Sequence, residues 1–329
     1  DRQIVTVSTG EMIALHAKTE ESVVQLGFEN WFSNKDRYEK TFAGDIPKHL
    51  VDCILDIVED AFLSQGEAFQ DRTRDYIRLC ILQNYERVDR YVGSLLVGSR
   101  SIPKTLWRGT GGLIWSRILG FCCREIGGNV SGHDHSHGQG AWKSNSDQII
   151  EYPFCDRFYV WNENQKKRSV ENISKKLNFG HNEPNICVVP RERQNLSITP
   201  IRTRRSSSKL TLMYVGTVYS IDRVIYSPIY PATAMIDWEV RFFMEAIKQN
   251  FDVIYKPHPE NCGLNEKPLL QELGVSIIYD KFEDVIDQCD VVLFGQTNCS
   301  SFFNCLKTTK PIVLGTPPLN PWHDDLNPI

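Results

Sequence analysis

Three histidines and one aspartate lie within the ten-residue stretch "SGHDHSHGQG", Ser131 to Gly140. Histidine and aspartate are the side chains that enzymes use most often to move protons, and they also bind zinc. The histidines are His133, His135 and His137. In an extended chain alternate residues point the same way, so these three would share one side, opposite Asp134. The pattern is compatible with a catalytic or substrate-binding loop, a metal site, or a solvated turn.

A second candidate is the stretch "YKPHPE", Tyr255 to Glu260, which follows the apolar run "FDVI". Its two prolines restrict the backbone and would hold Lys256 and His258 in fixed positions. A cationic lysine beside a histidine suits a phosphate group, and Pro259 and Glu260 complete this loop. The alternative interpretation is an ordinary turn after a strand, with a surface histidine.

A third candidate is the stretch "GQTNCSSF", Gly295 to Phe302, where hydroxyl and amide side chains cluster at the predicted start of a helix. Free backbone N–H groups and the helix dipole favour an anion at such a place. Capping of the helix by one of these side chains is a compatible alternative. The candidates for binding are Gln296, Thr297, Asn298, Ser300 and Ser301. Together with "YKPHPE", they predict one phosphate pocket at one sheet edge.

The elements around these loops alternate between strands and helices. In the second half the predicted strands are "KLTLMYVGT", "FDVIYK", "VSIIYD", "DVVLFG" and "KPIVLG", with amphipathic helices between them. In the first half the predicted strands are "QIVTVSTG", "NVSGHDH", "DRFYVW" and "NICVVP". Two amphipathic helices precede residue 100, and another is expected over Leu113 to Ile126. This order predicts an α/β fold with mainly parallel sheets.

A break in the pattern divides the chain. Residues 191–208, "RERQNLSITPIRTRRSSS", have no hydrophobic period and contain five arginines. We therefore predict an N-terminal acceptor and catalytic domain over 1–190, a basic linker over 191–208, and a C-terminal donor-binding domain over 209–329. The linker could contact phosphate or an anionic membrane surface, or it could simply be solvated.

The composition excludes several classes of protein. The net charge of −4 argues against a general nucleic-acid binder, and no apolar run is long enough to span a membrane. The ten cysteines do not follow zinc-site spacing, so we expect reduced, mostly buried thiols in a cytosolic protein. The chain begins at Asp1 without a methionine, and we expect a trimmed chain or a fragment.

The second half also resembles a known family. The sequence "KPHPE", followed by "D-x-x-L-F-G-x-T-x-x-S" and "KPIV", resembles the nucleotide-binding half of bacterial GT-B glycosyltransferases of surface polysaccharides. These include capsule Kdo transferases, sialyl and polysialyl transferases, and CDP-glycerol polymer transferases. In the first half, "GTGGLIWSRIL", "HSHG" and "CDRFYVW" look like segments of surface-carbohydrate biosynthesis proteins. The resemblance covers roughly residues 100 to 315.

The resemblance implies a GT-B-like fold, in which two Rossmann-like domains face a cleft, with extra helices in the N-terminal half. It implies a nucleotide sugar, such as CMP-Kdo, as donor substrate, with no cofactor and no catalytic metal. The donor would be held mainly by Lys256, His258, Thr297, Ser300 and Ser301.

The first half would supply the catalytic group. Asp134 is the first candidate for the base or nucleophile, followed by His137 and His135. Arginines beside the glycine turn "GTGG" could pair with the carboxylate of an acidic sugar. The candidates for substrate binding are Arg108, Gly111, Gly112, Arg117 and Arg223.

We therefore expect a glycosyltransferase that moves a CMP-activated sugar to a surface or lipid-linked glycan. The expected location is the cytoplasm, with peripheral contact at the inner face of the membrane. Three rival functions remain open at this point: a CDP-polyol phosphotransferase, a non-catalytic GT-B-like binding module, and a metal-dependent hydrolase built on the histidine loop.

Overall fold

The structure is a computed structural model. It describes residues 4–7, 23–26, 46–64, 70–97, 102–109, 111–134, 151–153, 155–173, 183–189, 199–201, 208–216, 232–258, 267–295 and 299–315.

The first sheet has six strands. These are β1 (Ile4–Thr6), β2 (Val23–Gln25), β3 (Thr105–Arg108), β4 (Asn129–His133), β5 (Arg157–Val160) and β6 (Asn185–Val188). The helices that fall between these strands along the chain are α1 (Lys48–Ser64), α2 (Asp71–Val97), α3 (Ile114–Glu125) and α4 (Glu163–Ile173). The strand order is β2-β1-β3-β4-β5-β6, and the pairings from β2 through β5 are parallel. The order reverses between β1 and β3, as in flavodoxin-like folds.

The second sheet has five strands. These are β7 (Thr211–Val215), β8 (Asp252–Lys256), β9 (Ser276–Ile277), β10 (Val291–Phe294) and β11 (Ile312–Leu314). The helices are α5 (Ala232–Lys248), α6 (Lys267–Glu272), α7 (Phe282–Val285), which continues as a 3-10 turn over Ile286–Gln288, and α8 (Ser300–Leu306). All pairings are parallel, in the order β11-β10-β7-β8-β9. If these strands are numbered one to five along the chain and the sheet is read from β9 to β11, the order is 3-2-1-4-5. This is the Rossmann order, and it reverses between β7 and β10.

Burial on both faces explains why the second-half strands read as continuous apolar runs. Successive residues of β7 point to opposite sides of the sheet. Met213 and Val215 pack in one cluster with residues of α7, β10 and α8. Leu212 and Tyr214 pack in the other cluster, with Phe243 of α5. Both faces are therefore apolar, and the two charged side chains of β8, Asp252 and Lys256, stand at its two ends.

These observations confirm the predicted α/β class and the two parallel sheets, which are the components of a GT-B-like chain. Helix α3 lies within the predicted span. Strand β2 was not predicted, and β9 is shorter than the expected "VSIIYD" because it is an edge strand bonded only to β8. Within residues 191–208, Thr199 forms a parallel bridge with Thr308. Part of the sequence expected to be a linker is thus hydrogen-bonded.

The chain divides into two compact units. One comprises residues 1–133, 148–159 and 177–185, and the other comprises residues 134–147, 160–176 and 186–329. The domain boundaries expected from the sequence stay a prediction. In the described part of the chain, no helix has the length and hydropathy that crossing a bilayer requires.

Burial keeps several thiols protonated. It raises the pKa of Cys122, Cys123 and Cys289 from the ordinary value of 9.0 to about 12. Cys53, in contrast, is exposed on α1. All cysteines that the structure describes are free thiols.

We predict that the protein loses stability as the pH rises above about 9. In the unfolded chain these thiols ionise near their ordinary pKa, whereas in the folded chain they keep their protons up to about pH 12. The unfolded state therefore binds fewer protons in this window, and the free energy of unfolding falls. Urea unfolding at about pH 8 and about pH 10 measures the loss. Cys289→Ala removes one of these thiols and should flatten the dependence of stability on pH relative to the wild type. An unchanged dependence in Cys289→Ala would contradict the assignment.

Candidate functional site

The carboxyl ends of β7 and β10 flank the place where the strand order of the second sheet reverses. In open α/β sheets, ligands bind in the crevice at such a point. Strand β7 leads into Gly216 and β10 leads into Gly295, while β8, the next strand beyond β7, ends at Lys256. The two loops that the sequence singled out, "YKPHPE" and "GQTNCSSF", begin here, at the same edge of the sheet.

Two buried tyrosine rings explain why glycine stands at both of these positions. A Cβ atom at Gly216 would lie 2.7 Å from Cε2 and 2.8 Å from the hydroxyl oxygen of Tyr255. A Cβ atom at Gly295 would collide with the hydroxyl of Tyr214 and lie 3.2 Å from its Cζ. Tyr214 and Tyr255 are themselves register partners on β7 and β8. A side chain at either glycine would therefore have to displace a buried ring, so the edge exposes only backbone at these two positions.

A buried carboxylate lies beneath the same edge. Glu239 of α5 is buried, and its charge and hydrogen bonding act on Tyr214. Burial first, and then Glu239, raise the pKa of Tyr214 well above the ordinary value of 10.0. A phenol is protonated at neutral pH even at its ordinary pKa, and the raised pKa keeps Tyr214 protonated into more alkaline solution.

Lys256 brings a positive charge to this edge. Its side chain is buried, with the residue only 5% exposed, and Nζ donates a hydrogen bond to the carbonyl of Pro257 at 3.1 Å. The backbone N–H of Gly216 donates to the carbonyl of Lys256 at 2.9 Å, so Lys256 lies directly beside the end of β7. His258, two residues further on, is partly exposed. The structure thus brings Lys256 and His258 to the edge predicted from the sequence.

The candidate serines lie on α8. Ser300 and Ser301 are its first two residues, and Cys299 precedes them in an extended conformation, without a side-chain cap. Since α8 follows β10, these serines belong to the segment on the other side of the crevice from β8.

At the end of β4 in the first sheet, the structure describes the first four residues of the histidine stretch, which include His133 and Asp134. His133 is buried in the core, where its Nδ1 accepts a hydrogen bond from Nε1 of Trp107 at 2.9 Å. The Trp107 ring stacks on Tyr159 at a centroid distance of 4.8 Å. Asp134, 1% exposed, accepts a hydrogen bond at Oδ2 from Nε2 of Gln165. The first histidine is therefore a packing residue, and the aspartate is buried and hydrogen-bonded to a side-chain amide.

Arg108, the last residue of β3, is also buried. Its Nη2 donates to the carbonyls of Glu151 and Pro153, and its Nε donates to Sγ of Cys155 at 3.2 Å. Its Nη1 is buried without a hydrogen-bond acceptor in the part of the chain that the structure describes. Arg108 thus fixes the segment before β5 and retains one guanidinium nitrogen that a ligand could use.

The glycine turn after β3 is fixed from both sides. The N–H of Gly111 donates to Oε2 of Glu151 at 2.8 Å, and Nε of Arg117 donates to the carbonyl of Gly111 at 2.6 Å. Gly112 follows within the same turn before α3. The Gly111 N–H, which the sequence offered as a donor for a substrate anion, therefore donates to an internal carboxylate instead.

Several predicted residues lie outside the described residues. These are His135, His137, Arg223, Pro259, Glu260, Gln296, Thr297 and Asn298. In the ranges that are described, no group of three or more potential metal ligands comes together.

Sequence reasoning missed three polar residues that lie outside the strands and act on groups at or next to the strand ends. Gln165 could have been found from the spacing "N-x-x-Q" in "WNENQ", which is typical of a helix start. Glu151 and Glu239 carry no such local signal, because their importance comes from contacts that are distant in sequence.

The two sheets together define an α/β protein with two doubly wound, Rossmann-like sheets and polar residues at the carboxyl ends of the strands. No family model matches the chain, and no curated protein does.

Among solved structures, the chain is similar to a UDP-GlcNAc 2-epimerase of Methanocaldococcus jannaschii in complex with UDP-GlcNAc and UDP. That match has 11% identity and a TM-score of 0.44, over 97% of this chain and 84% of that one. It is also similar to MurG of Acinetobacter baumannii, with 10% identity and a TM-score of 0.39 over 96% and 86%. The third similar structure is the spinosyn rhamnosyltransferase SpnG with spinosyn aglycone, with 10% identity and a TM-score of 0.32 over 92% and 77%. Since values this low carry no conclusion, the fold rests on the strand orders themselves.

We predict that Gly295→Ala destabilises the protein by about 1–3 kcal/mol, because the new methyl group collides with the Tyr214 hydroxyl. Tyr214→Phe removes that hydroxyl, so the double variant should recover part of the loss. A double-mutant cycle from urea unfolding measures this coupling. Gly315→Ala is the matched control at the end of β11, where the nearest atom to a new Cβ is 3.5 Å away. If Gly295→Ala and Tyr214→Phe change the free energy of unfolding additively, the proposed steric contact between the two positions is wrong.

Proposed function

We propose that this protein is a glycosyltransferase that moves a sugar from a nucleotide donor to a surface or lipid-linked glycan. The proposed donor is a CMP-activated acidic sugar of the Kdo or sialic acid type. The observation that carries the proposal is the buried ammonium of Lys256, at the carboxyl end of β8 beside the crevice of a Rossmann-order sheet.

The charge of Lys256 suits a phosphate. A buried ammonium gains from anionic and hydrogen-bond-accepting groups within its reach, and an anionic ligand adds such an interaction. Coulomb attraction is stronger at a desolvated site than in water. His258 and the α8 serines are proposed to contact the same phosphate. Pro259, Glu260, Gln296, Thr297 and Asn298 of the two loops are proposed to contribute to binding of the nucleotide donor. In the transition state, the departing CMP gains negative charge that Lys256 stabilises.

Asp134 is the proposed base. The oxygen of the acceptor hydroxyl forms a bond to the anomeric carbon, and the bond from that carbon to the phosphate oxygen breaks, with its electron pair leaving on CMP. Asp134 takes the hydroxyl proton. If the enzyme retains configuration, the same carboxylate would instead attack the anomeric carbon as a nucleophile. His135 and His137 are the further candidates in this segment.

The carboxylate of an acidic sugar would bind to Arg108. The buried Nη1 of Arg108 supports this, because a bound carboxylate would supply the missing acceptor. Arg117, Gly111, Gly112 and Arg223 are proposed to contribute to the same substrate subsite.

We predict that Lys256→Met weakens CMP binding about 10- to 100-fold, the value of one charge-assisted hydrogen bond of about 1.5–3 kcal/mol. Cytidine, which has no phosphate, should bind equally to the variant and to the wild type. Calorimetry measures both affinities, and a thermal-shift series with CMP, CDP, UDP, GDP and ADP identifies the preferred nucleotide.

The matched control is Lys310→Met. Lys310 is also buried, but it precedes β11 at the opposite edge of the sheet, where Nζ binds the carbonyl of Cys289. This variant should lose stability and keep its CMP affinity. Equal loss of CMP affinity in both lysine variants, or no nucleotide binding by the wild type, would overturn the donor site. Selective binding of UDP or GDP would overturn CMP as the donor nucleotide.

We predict that Asp134→Asn lowers the kcat of sugar transfer by at least about 100-fold, the usual contribution of a general base, with CMP affinity unchanged. Product formation from CMP-sugars measures the effect. Transfer of a phosphoryl-polyol from CDP-glycerol would replace the proposal with a polyol phosphotransferase. CMP binding without any turnover would make the protein a binding module.

A further inference from the structure

The first turn of α4 is closed by its own side chains. The backbone N–H of Gln165 donates to Oδ1 of Asn162 at 2.9 Å, and the side-chain Oε1 of Gln165 accepts from the backbone N–H of Trp161 at 2.7 Å. This reciprocal pair is a variant of the capping box, in which the third helical residue reaches back to the start of its helix. The sequence "WNENQ" thus fixes the position of the Gln165 side chain.

The capping contact also decides which way the Gln165 amide faces. Because Oε1 accepts from Trp161, the amide nitrogen Nε2 must point away from it. Nε2 donates to Oδ2 of Asp134. Both residues are buried, with Gln165 only 3% exposed, so bulk water is not available to replace this bond.

A residue from another helix segment also contacts the start of α4. The ammonium of Lys307, which follows the last residue of α8, lies 5.6 Å from the ring centroid of Trp161. This is a cation–π contact. The residue that orients the Gln165 amide is therefore itself packed against another element of the same compact unit.

We propose that Gln165 is the positioning residue for Asp134, and that its side-chain amide, turned by the bond from the Trp161 N–H, sets the orientation of the reactive carboxylate. This inference rests on the function proposed above. A neutral amide holds Oδ2 in place by a hydrogen bond, without the full counter-charge that an arginine or lysine would bring. A cation at that position would make the carboxylate a weaker base, so an amide orients Asp134 at less cost to its reactivity.

The test compares two substitutions that separate positioning from capping. Gln165→Glu keeps an oxygen for the Trp161 N–H, and Glu is a common residue at this capping-box position. It removes the amide donor and places a second carboxyl group against Asp134. Asn162→Ala removes the capping oxygen and leaves the Gln165 side chain in place. The assay is transfer from the CMP-sugar that the wild type uses, with kcat, donor KM and Tm measured for each variant.

The expected result is that Gln165→Glu lowers kcat about 100-fold or more with little change in donor KM or CMP affinity, while Asn162→Ala lowers Tm and keeps kcat. Gln165→Leu, which cannot donate, should lose kcat in the same way, and CMP affinity reports whether each variant is folded. Wild-type kcat in Gln165→Glu would overturn the inference, as would an equal loss of kcat in Asn162→Ala.

Asp134→Asn in the same assay separates the two proposals. If Asp134→Asn is inactive and Gln165→Glu is active, only the positioning role is wrong. If Asp134→Asn keeps full transfer, or if the wild type transfers no sugar, the proposed function is wrong and the role of Gln165 falls with it.

Discussion

Parallel strand pairing is the constraint on which the rest of this structure depends. Parallel strands end at one edge of their sheet, so each chain segment must cross back over a face before the next strand begins. The covering segments bury both faces, which removes polar residues from the strand interiors. Where the strand order reverses, neighbouring crossovers leave on opposite sides and a crevice opens between β7 and β10. Polar chemistry is thereby confined to the carboxyl ends of a few strands.

Burial at those ends makes each polar group dependent on a particular partner. Lys256 uses a neighbouring carbonyl, Arg108 binds the carbonyls of one short segment, and Asp134 is held by Gln165. A buried polar group without a partner costs free energy comparable to a lost hydrogen bond. The partners therefore fix the geometry as firmly as the apolar core does, and a ligand that meets these side chains meets them already oriented.

Local signals in the sequence predicted most of the elements and the strand end at which Lys256 and His258 lie. The prolines of "KPHPE" and the apolar run before them were sufficient to place Lys256 and His258 at a strand end. The long-range contacts could not be predicted in the same way. Glu151 binds the glycine turn from forty residues away, and Tyr214 excludes a side chain at Gly295. Such contacts depend on which strands become neighbours, and alternation of apolar residues does not specify that order.

The bridge between Thr199 and Thr308 has a practical consequence for dividing the protein. The N–H of Thr199 donates to the carbonyl of Lys307 at 2.8 Å, and the N–H of Ile201 donates to Oγ1 of Thr309 at 3.1 Å. A shortened chain that starts at residue 209 would still encode all five strands of the second sheet. It would nevertheless leave these acceptors exposed to water beside the last strand, and it would lose the segment that covers them. A fragment meant to carry the second sheet alone should therefore begin upstream of Thr199.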